Sequence, residues 1–162
     1  MGFFSRFFKF KEQDSGVAET TWAMEDNGSE LVLDPEYAAT LLNEIDLDAA
    51  LTSHTEWRFH LEDVVHGRAM DNLEPDRVCR DDRCNLGRWL HGPGRERLGH
   101  YPAFTMLVAR HRYFHQQAAT VAGLLKAGEL QKAQQLMGGS CRHASNQVIF
   151  LLKELKRGIA HT

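Results

Sequence analysis

Positions 47–65 read LDAALTSHTEWRFHLEDVV, and in them Leu47, Leu51, His54, Trp57, Leu61 and Val65 recur at i, i+4, i+7, i+10, i+14 and i+18. That spacing lays one apolar stripe along a helix, with a histidine inside the stripe. Upstream, Asp34-Pro35-Glu36 sets a capping residue before a first-turn proline, a common helix start. Downstream, Gly67 to Arg83 breaks the period with Pro75 and several charges, and a short helix is expected around Asp82–His91, stopped by Gly92-Pro93-Gly94. Tyr101-Pro102 opens the next long helix, with its stripe at Phe104, Leu107, His111, Phe114/His115, Ala118, Val121 and Leu125 and Gly128 as its end. Helical spacing resumes over Glu129–Met137. After Gly138-Gly139-Ser140 the last helix carries Cys141, Ala144, Val148, Leu151/Leu152 and Leu155. No window alternates as a strand does. The expected class is all-α, a four-helix-bundle-like domain of three long helices and one short one, with Cys84 on the short helix.

Composition agrees with a globular chain: 162 residues, 43% hydrophobic and 25% charged, enough for a single core. The longest unbroken aliphatic or aromatic run, Val148 to Leu152, is far short of the ~20 residues that span a bilayer. Without an apolar leader and cleavage site, a reducing cytoplasm is the expected location. The net charge of −3 divides into +1 over residues 1–16, −9 over 17–50 and +5 over 51–162. The basic portion has no dense Lys/Arg stripe with interleaved aromatics, so nucleic acid is not an expected partner. Three cysteines, Cys79, Cys84 and Cys141, point to metal binding or a reactive thiol rather than a disulfide framework.

The chain is expected to divide into an amphipathic N-terminus and acidic linker over 1–33 and a helical domain over 34–162. The opening MGFFSRFFKFK sets Phe3, Phe4, Phe7 and Phe8 at helical spacing, with Arg6, Lys9 and Lys11 elsewhere on the wheel. Such a helix fits peripheral membrane contact or partner docking. A terminus that packs on its own domain or frays reads the same way.

The chemistry centres on His111-x3-His115, two imidazoles on successive turns of one face that reach a common metal ion. With nine histidines in the chain the spacing alone says little, and both rings equally suit hydrogen-bonded core positions. His54 interrupts a second apolar stripe, and three stripe histidines facing one core are harder to explain without a metal. The fourth feature is Cys84-Asn85-Leu86-Gly87-Arg88-Trp89. A cysteine at the first turn of a helix has its thiolate favoured by free amides and the helix dipole. Gly87, mid-helix, costs roughly 1 kcal/mol relative to Ala and marks a close approach. Trp89 on the neighbouring turn is expected to shield the site.

Taken together, His54/Trp57, Cys84/Leu86/Gly87/Trp89 and His111/His115 resemble the chemoreceptor zinc-binding (CZB) domain of bacterial signalling proteins. Its pattern is H-x2-W, C-x-L-G-x-W and H-x3-H. Twenty-six residues separate Trp57 from Cys84 and twenty-one separate Trp89 from His111, both suited to the family. The resemblance covers about residues 45–157 and is of the stand-alone type. It implies a helical bundle, usually a homodimer, that holds Zn2+ through His54, Cys84, His111 and His115. It also implies a role in chemotaxis or other signal transduction, with a chemoreceptor or diguanylate cyclase system as partner. Zinc level, or oxidation of the cysteine by hypochlorous acid, is the implied signal. Four protein ligands close the zinc tetrahedron, which favours sensing over catalysis.

Three other readings stay in view: a structural zinc bundle acting as an interaction adaptor, a hemerythrin-like di-iron bundle, and a small zinc hydrolase using Glu56 or Glu62 as base. The second normally needs carboxylate ligands such as H-x3-E, which the chain lacks. Cys79 reads as an uninvolved loop cysteine and Cys141 as a small buried hydrophobe. The remaining histidines read as surface or capping residues.

Overall fold

The computed structural model describes residues 35–160 together with the backbone of Met24–Glu25 and Gly28–Ser29. Phe3, Phe4, Phe7 and Phe8, the capping Asp34 and most of the acidic arm lie outside the described residues. Met24–Glu25 (β1) and Gly28–Ser29 (β2) pair antiparallel, Met24 opposite Ser29 and Glu25 opposite Gly28. This ladder sits within the expected linker and leaves the domain all-α.

The first helix, α1, spans Pro35–Glu44 and begins on the expected proline. Asp46 separates it from α2, Leu47–Val65, by accepting the Ala49 N–H at 2.9 Å, which satisfies one of the free donors of the new helix. The α2 stripe buries Leu47, Ala50, His54, Leu61 and Val65, with Leu51 and Trp57 half-buried against the core.

The stretch expected to be irregular holds one extra helical turn, α3, Pro75–Val78, started by Pro75 at its first position. The short cysteine-bearing helix, α4, runs Asn85–His91. Gly92-Pro93-Gly94 does stop it, but Pro93 at once begins another helix, α5, Pro93–Leu98, because proline costs no hydrogen bond in a first turn. The corner is tight. A Cβ on Gly94 would lie 2.9 Å from the Trp89 ring and carbonyl.

The longest helix, α6, covers Pro102–Lys126 and leads to Gly128, whose φ of +75° suits glycine. Then come α7, Leu130–Leu136, and α8, Arg142–Ala160. Between them Met137–Cys141 is one wide π turn, bent at Gly139 with φ −101° and ψ −108°. The glycine pair therefore kinks a nearly continuous helix instead of opening a loop, and Ser140 Oγ donates to Gln117 Oε1 at 2.6 Å across the bend.

In the bundle, α6 packs on α8, α7 and α3, and α2 packs on α8. The centre is filled by Leu61, Phe104, Leu107, Phe114, Met137, Leu152 and Leu155, all at most 1% exposed. Each such side chain contributes about 1.5–3 kcal/mol. Cys141, 0% exposed, belongs to this core as expected. Among the described residues no helix is long and apolar enough to cross a membrane.

Candidate metal centre

Two elements bring the donors together. Helix α6 presents His111 and His115 from successive turns, 0% and 8% exposed. Facing them, Cys84 is the N-cap of α4. Its φ of −74° and ψ of 164° leave the helix, and its sulfur accepts the Gly87 N–H at 3.2 Å. The turn before α4 packs directly on Gly87: a Cβ there would stand 1.7 Å from the Asp81 carbonyl oxygen. This is the close approach the glycine implied. The Asp81 carboxylate is in turn tied to His91 Nε2 at 2.7 Å, and Arg112 Nε lies 3.9 Å away.

Cys84 Sγ lies 3.4 Å from His111 Nε2 and 4.0 Å from His115 Nε2, and the ligand atoms of the three residues fall within 4.8 Å of one another. Zinc bonds of about 2.3 Å to sulfur and 2.0–2.1 Å to nitrogen, set tetrahedrally, put donors about 3.3–3.6 Å apart. The two sulfur–nitrogen distances thus lie within about half an ångström of that spacing. His115 Nδ1 lies 2.7 Å from the Val78 carbonyl oxygen. Donating its proton there, the ring keeps the Nε2 lone pair for the cluster, the outer-shell arrangement typical of a metal-bound histidine. His111 Nδ1 is buried without a hydrogen-bond partner.

His54 stands beside this trio and is turned away from it. Its Nε2 is 3.1 Å from the hydroxyl of fully buried Ser145 on α8. Its ring centroid is 6.3 Å from that of His111, against 4.7 Å between His111 and His115. Phe114 supports the His54 ring at 4.5 Å. His54 still lines the groove that Cys84 and His115 line, so three of the four expected ligands converge and the fourth borders them.

Burial sets the electrostatics. It depresses His54 to about 3 and His111 to about 2, and lowers His115, with the neighbouring imidazoles adding to the first two. All three are neutral at pH 7, the form that binds metal. Burial also raises the Cys84 thiol, and the Gly87 amide only partly opposes it. The expectation that helix position alone favours the thiolate is therefore reversed: desolvation outweighs the free amides, and a cation is needed to hold the sulfur ionised.

Around the donors, Trp57 stacks on His115 at 5.8 Å and meets Phe114 edge-on, while buried Leu86 lines the groove. Trp89 packs edge-on against Phe104 at 5.7 Å and against Gly94, holding α4 to the bundle. The Val78 carbonyl, Ser145 and the Asp81–His91 pair were not expected here. A backbone carbonyl carries no residue signature, and the serine becomes visible only once α2 and α8 are packed. Of the other histidines, His66 caps α2 through the Glu62 carbonyl and His60 pairs with Asp71. Glu56 is exposed and Glu62 pairs with Arg58 at 3.3 Å, so both carboxylates behave as ordinary helix charges.

A helical bundle that gathers one thiol and two imidazoles within 4.8 Å of one another, with an outer-shell carbonyl in place, has the donor set of a zinc-binding helical domain. Residues 54–122 match the family model described as the chemoreceptor zinc-binding domain, a span that contains His54, Cys84, His111 and His115. The match supports a CZB-family domain over residues 54–122. No curated protein and no solved structure matches it.

Proposed function

We propose that this chain is a sensory or regulatory module that holds zinc through Cys84, His111, His115 and His54 and is read out through the state of the Cys84 sulfur. The observation that carries the reading is the convergence of Cys84 Sγ, His111 Nε2 and His115 Nε2 within one coordination sphere. His54 completes the set by turning its ring from Ser145 to the metal. Bound zinc supplies the positive charge that keeps the half-buried sulfur ionised. With one thiolate among neutral imidazoles, that sulfur carries most of the charge compensation, so changing it weakens the whole site.

Hypochlorous acid is a fitting signal. The thiolate displaces chloride and gains the hydroxyl, giving sulfenic acid, and a ligand is lost. The helix carrying Cys84 then loosens, and a change at a homodimer or partner surface passes the event on, for instance to a chemoreceptor or diguanylate cyclase system. Four protein ligands leave no position for a substrate, which favours regulation over catalysis. The di-iron reading loses its support, since the donor cluster contains no carboxylate.

Metal analysis of the purified chain before and after stoichiometric hypochlorous acid tests the proposal. One zinc per chain, released on oxidation and absent from Cys84→Ser, is expected. Zinc retained through oxidation would instead favour an adaptor with a structural zinc; no zinc at all would end the reading.

A further inference from the structure

The Cys84 sulfur is reached through two adjoining grooves, of about 340 Å³ and 590 Å³, which share Trp57, Arg83, Cys84, Arg88 and His115. The larger adds Arg77 and Arg80 to its wall. Four guanidinium groups from a twelve-residue stretch, 77–88, thus surround the way in to one sulfur. Their pairing is uneven. Arg80 is held by both oxygens of Asp82, at 2.9 and 2.8 Å. Arg88 donates to the Arg83 carbonyl at 3.0 Å and to Asn85 Oδ1, neutral partners that leave its charge uncompensated. Arg77 and Arg83 have no carboxylate within ion-pair distance among the described residues. The larger groove holds one carboxylate residue, Asp76.

A concave, partly apolar wall with four guanidinium groups against the one carboxylate residue Asp76 carries an excess of positive charge, and such an excess raises the local concentration of the opposite ion. Guanidinium groups also match the geometry of oxyanions. We propose that this arginine-lined groove is a docking site for small oxyanions, held by Arg77, Arg83 and Arg88 and delivered to Cys84 Sγ. The proposal goes beyond zinc binding: it sets the charge class of what reaches the sulfur, and it does not require the metal. The same field resists the approach of cationic reagents, so the site discriminates before any bond is made.

The test uses the full chain in a Cys79→Ser background, which removes the exposed thiol. Two methanethiosulfonate probes are compared, one with a sulfonate tail and one with a trimethylammonium tail. In each the Cys84 sulfur attacks the sulfenyl sulfur, an S–S bond forms, the S–SO2 bond breaks and methanesulfinate leaves with the electron pair. Modification of Cys84 is followed by peptide mass, and each rate is divided by that of the same cysteine in the urea-unfolded chain. Expected is a roughly 10-fold normalised preference for the anionic probe at low salt, collapsing towards parity in 1 M salt. Arg77→Glu with Arg83→Glu should abolish or invert it, while Lys153→Glu on the outer face of α8 leaves it unchanged. Equal normalised rates at low salt, or a preference that survives the double arginine reversal, would overturn the proposal. Zinc measured in the same samples separates the two ideas: charge preference without zinc sinks the metal reading alone, and zinc without charge preference sinks this one alone.

Discussion

His115 Nδ1 and the Val78 carbonyl oxygen, 2.7 Å apart, join the donor cluster on α6 to the single turn of α3. One imidazole faces the cluster with one nitrogen and anchors a loop with the other. His115→Ala should therefore do two things at once. Zinc affinity should fall by more than the roughly 10–100-fold typical of losing an outer-shell partner. Amide exchange over residues 75–84 should also rise, even in zinc-free protein. Zinc titration and hydrogen-exchange mass spectrometry read the two effects separately. Unchanged exchange in that segment would show that Val78 needs no anchor.

In the proposed four-ligand site, Ser145 competes with the metal for His54. In zinc-free protein, Ser145→Ala removes the buried partner of His54 Nε2 and should cost about 1–3 kcal/mol. In zinc-loaded protein, where the proposal has the ring leave Ser145, the cost should be smaller. The variant should consequently bind zinc more tightly, by up to about 10-fold. Denaturation with and without zinc closes this cycle, and equal losses in both states would place His54 outside the metal site.

Gly87 admits no side chain, because the obstacle to a Cβ is the Asp81 backbone oxygen at 1.7 Å. Gly87→Ala should destabilise by about 1–3 kcal/mol and weaken zinc binding, since α4 must move and carries Cys84 with it. Gly138→Ala meets nothing within 4 Å and should stay within about 0.5 kcal/mol. Urea unfolding of the two variants side by side decides the point.

Acid should unfold the zinc-free chain through its imidazoles. In the unfolded state each takes a proton near the ordinary value of 6.5, whereas in the fold His54 and His111 do so only near 3 and 2. Below about 6.5 the unfolded state binds more protons, so stability is full above that pH and declines as pH falls towards 3. By pH 5 the loss reaches about 2 kcal/mol for each of these two rings. Stability curves measured between pH 7.5 and 4.5 check it. A flat profile would mean that the rings are solvated.

Cys79 and Cys141 should separate cleanly by reactivity. Exposed Cys79 should be alkylated by iodoacetamide in the folded chain. Cys141, buried and pushed up to about 12 by desolvation, should react only on unfolding. Peptide mapping after timed alkylation of the folded chain would reveal any native-state labelling of Cys141.

Much of this architecture could be read in advance, because apolar period and helix punctuation act locally. The stripe from Leu47 to Val65, the proline starts at Pro35 and Pro102 and the Gly128 end all report on their own backbone. Reading failed where a residue has two local meanings. Pro93 ends one helix and begins another, and Gly138-Gly139 suits a wide turn as well as a loop. Within the site, His111 and His115 share a helix, so their spacing alone brings them together. The orientation of His54 depends on Ser145, ninety-one positions away, which only the packing of α2 on α8 brings near. The Cys84 proton likewise answers to burial, a property of the whole bundle rather than of its helix start.

Cys84 is both the N-cap of α4 and a donor in the cluster, and this makes the size of any adduct on its sulfur a sorting variable. A single added oxygen, or the hydroxyl of serine, still offers the Gly87 amide an acceptor while serving poorly as a metal ligand. The helix then keeps its start at Gly87 even as it loosens from the undone centre. A glutathione-sized adduct fits neither the 3.2 Å contact to Gly87 nor the space beside His111, and it must lift the segment away from α6. One sulfur can thus separate an atom-scale insult from a peptide-scale one, giving a bundle with a vacant donor set in the first case and one with a displaced arm in the second.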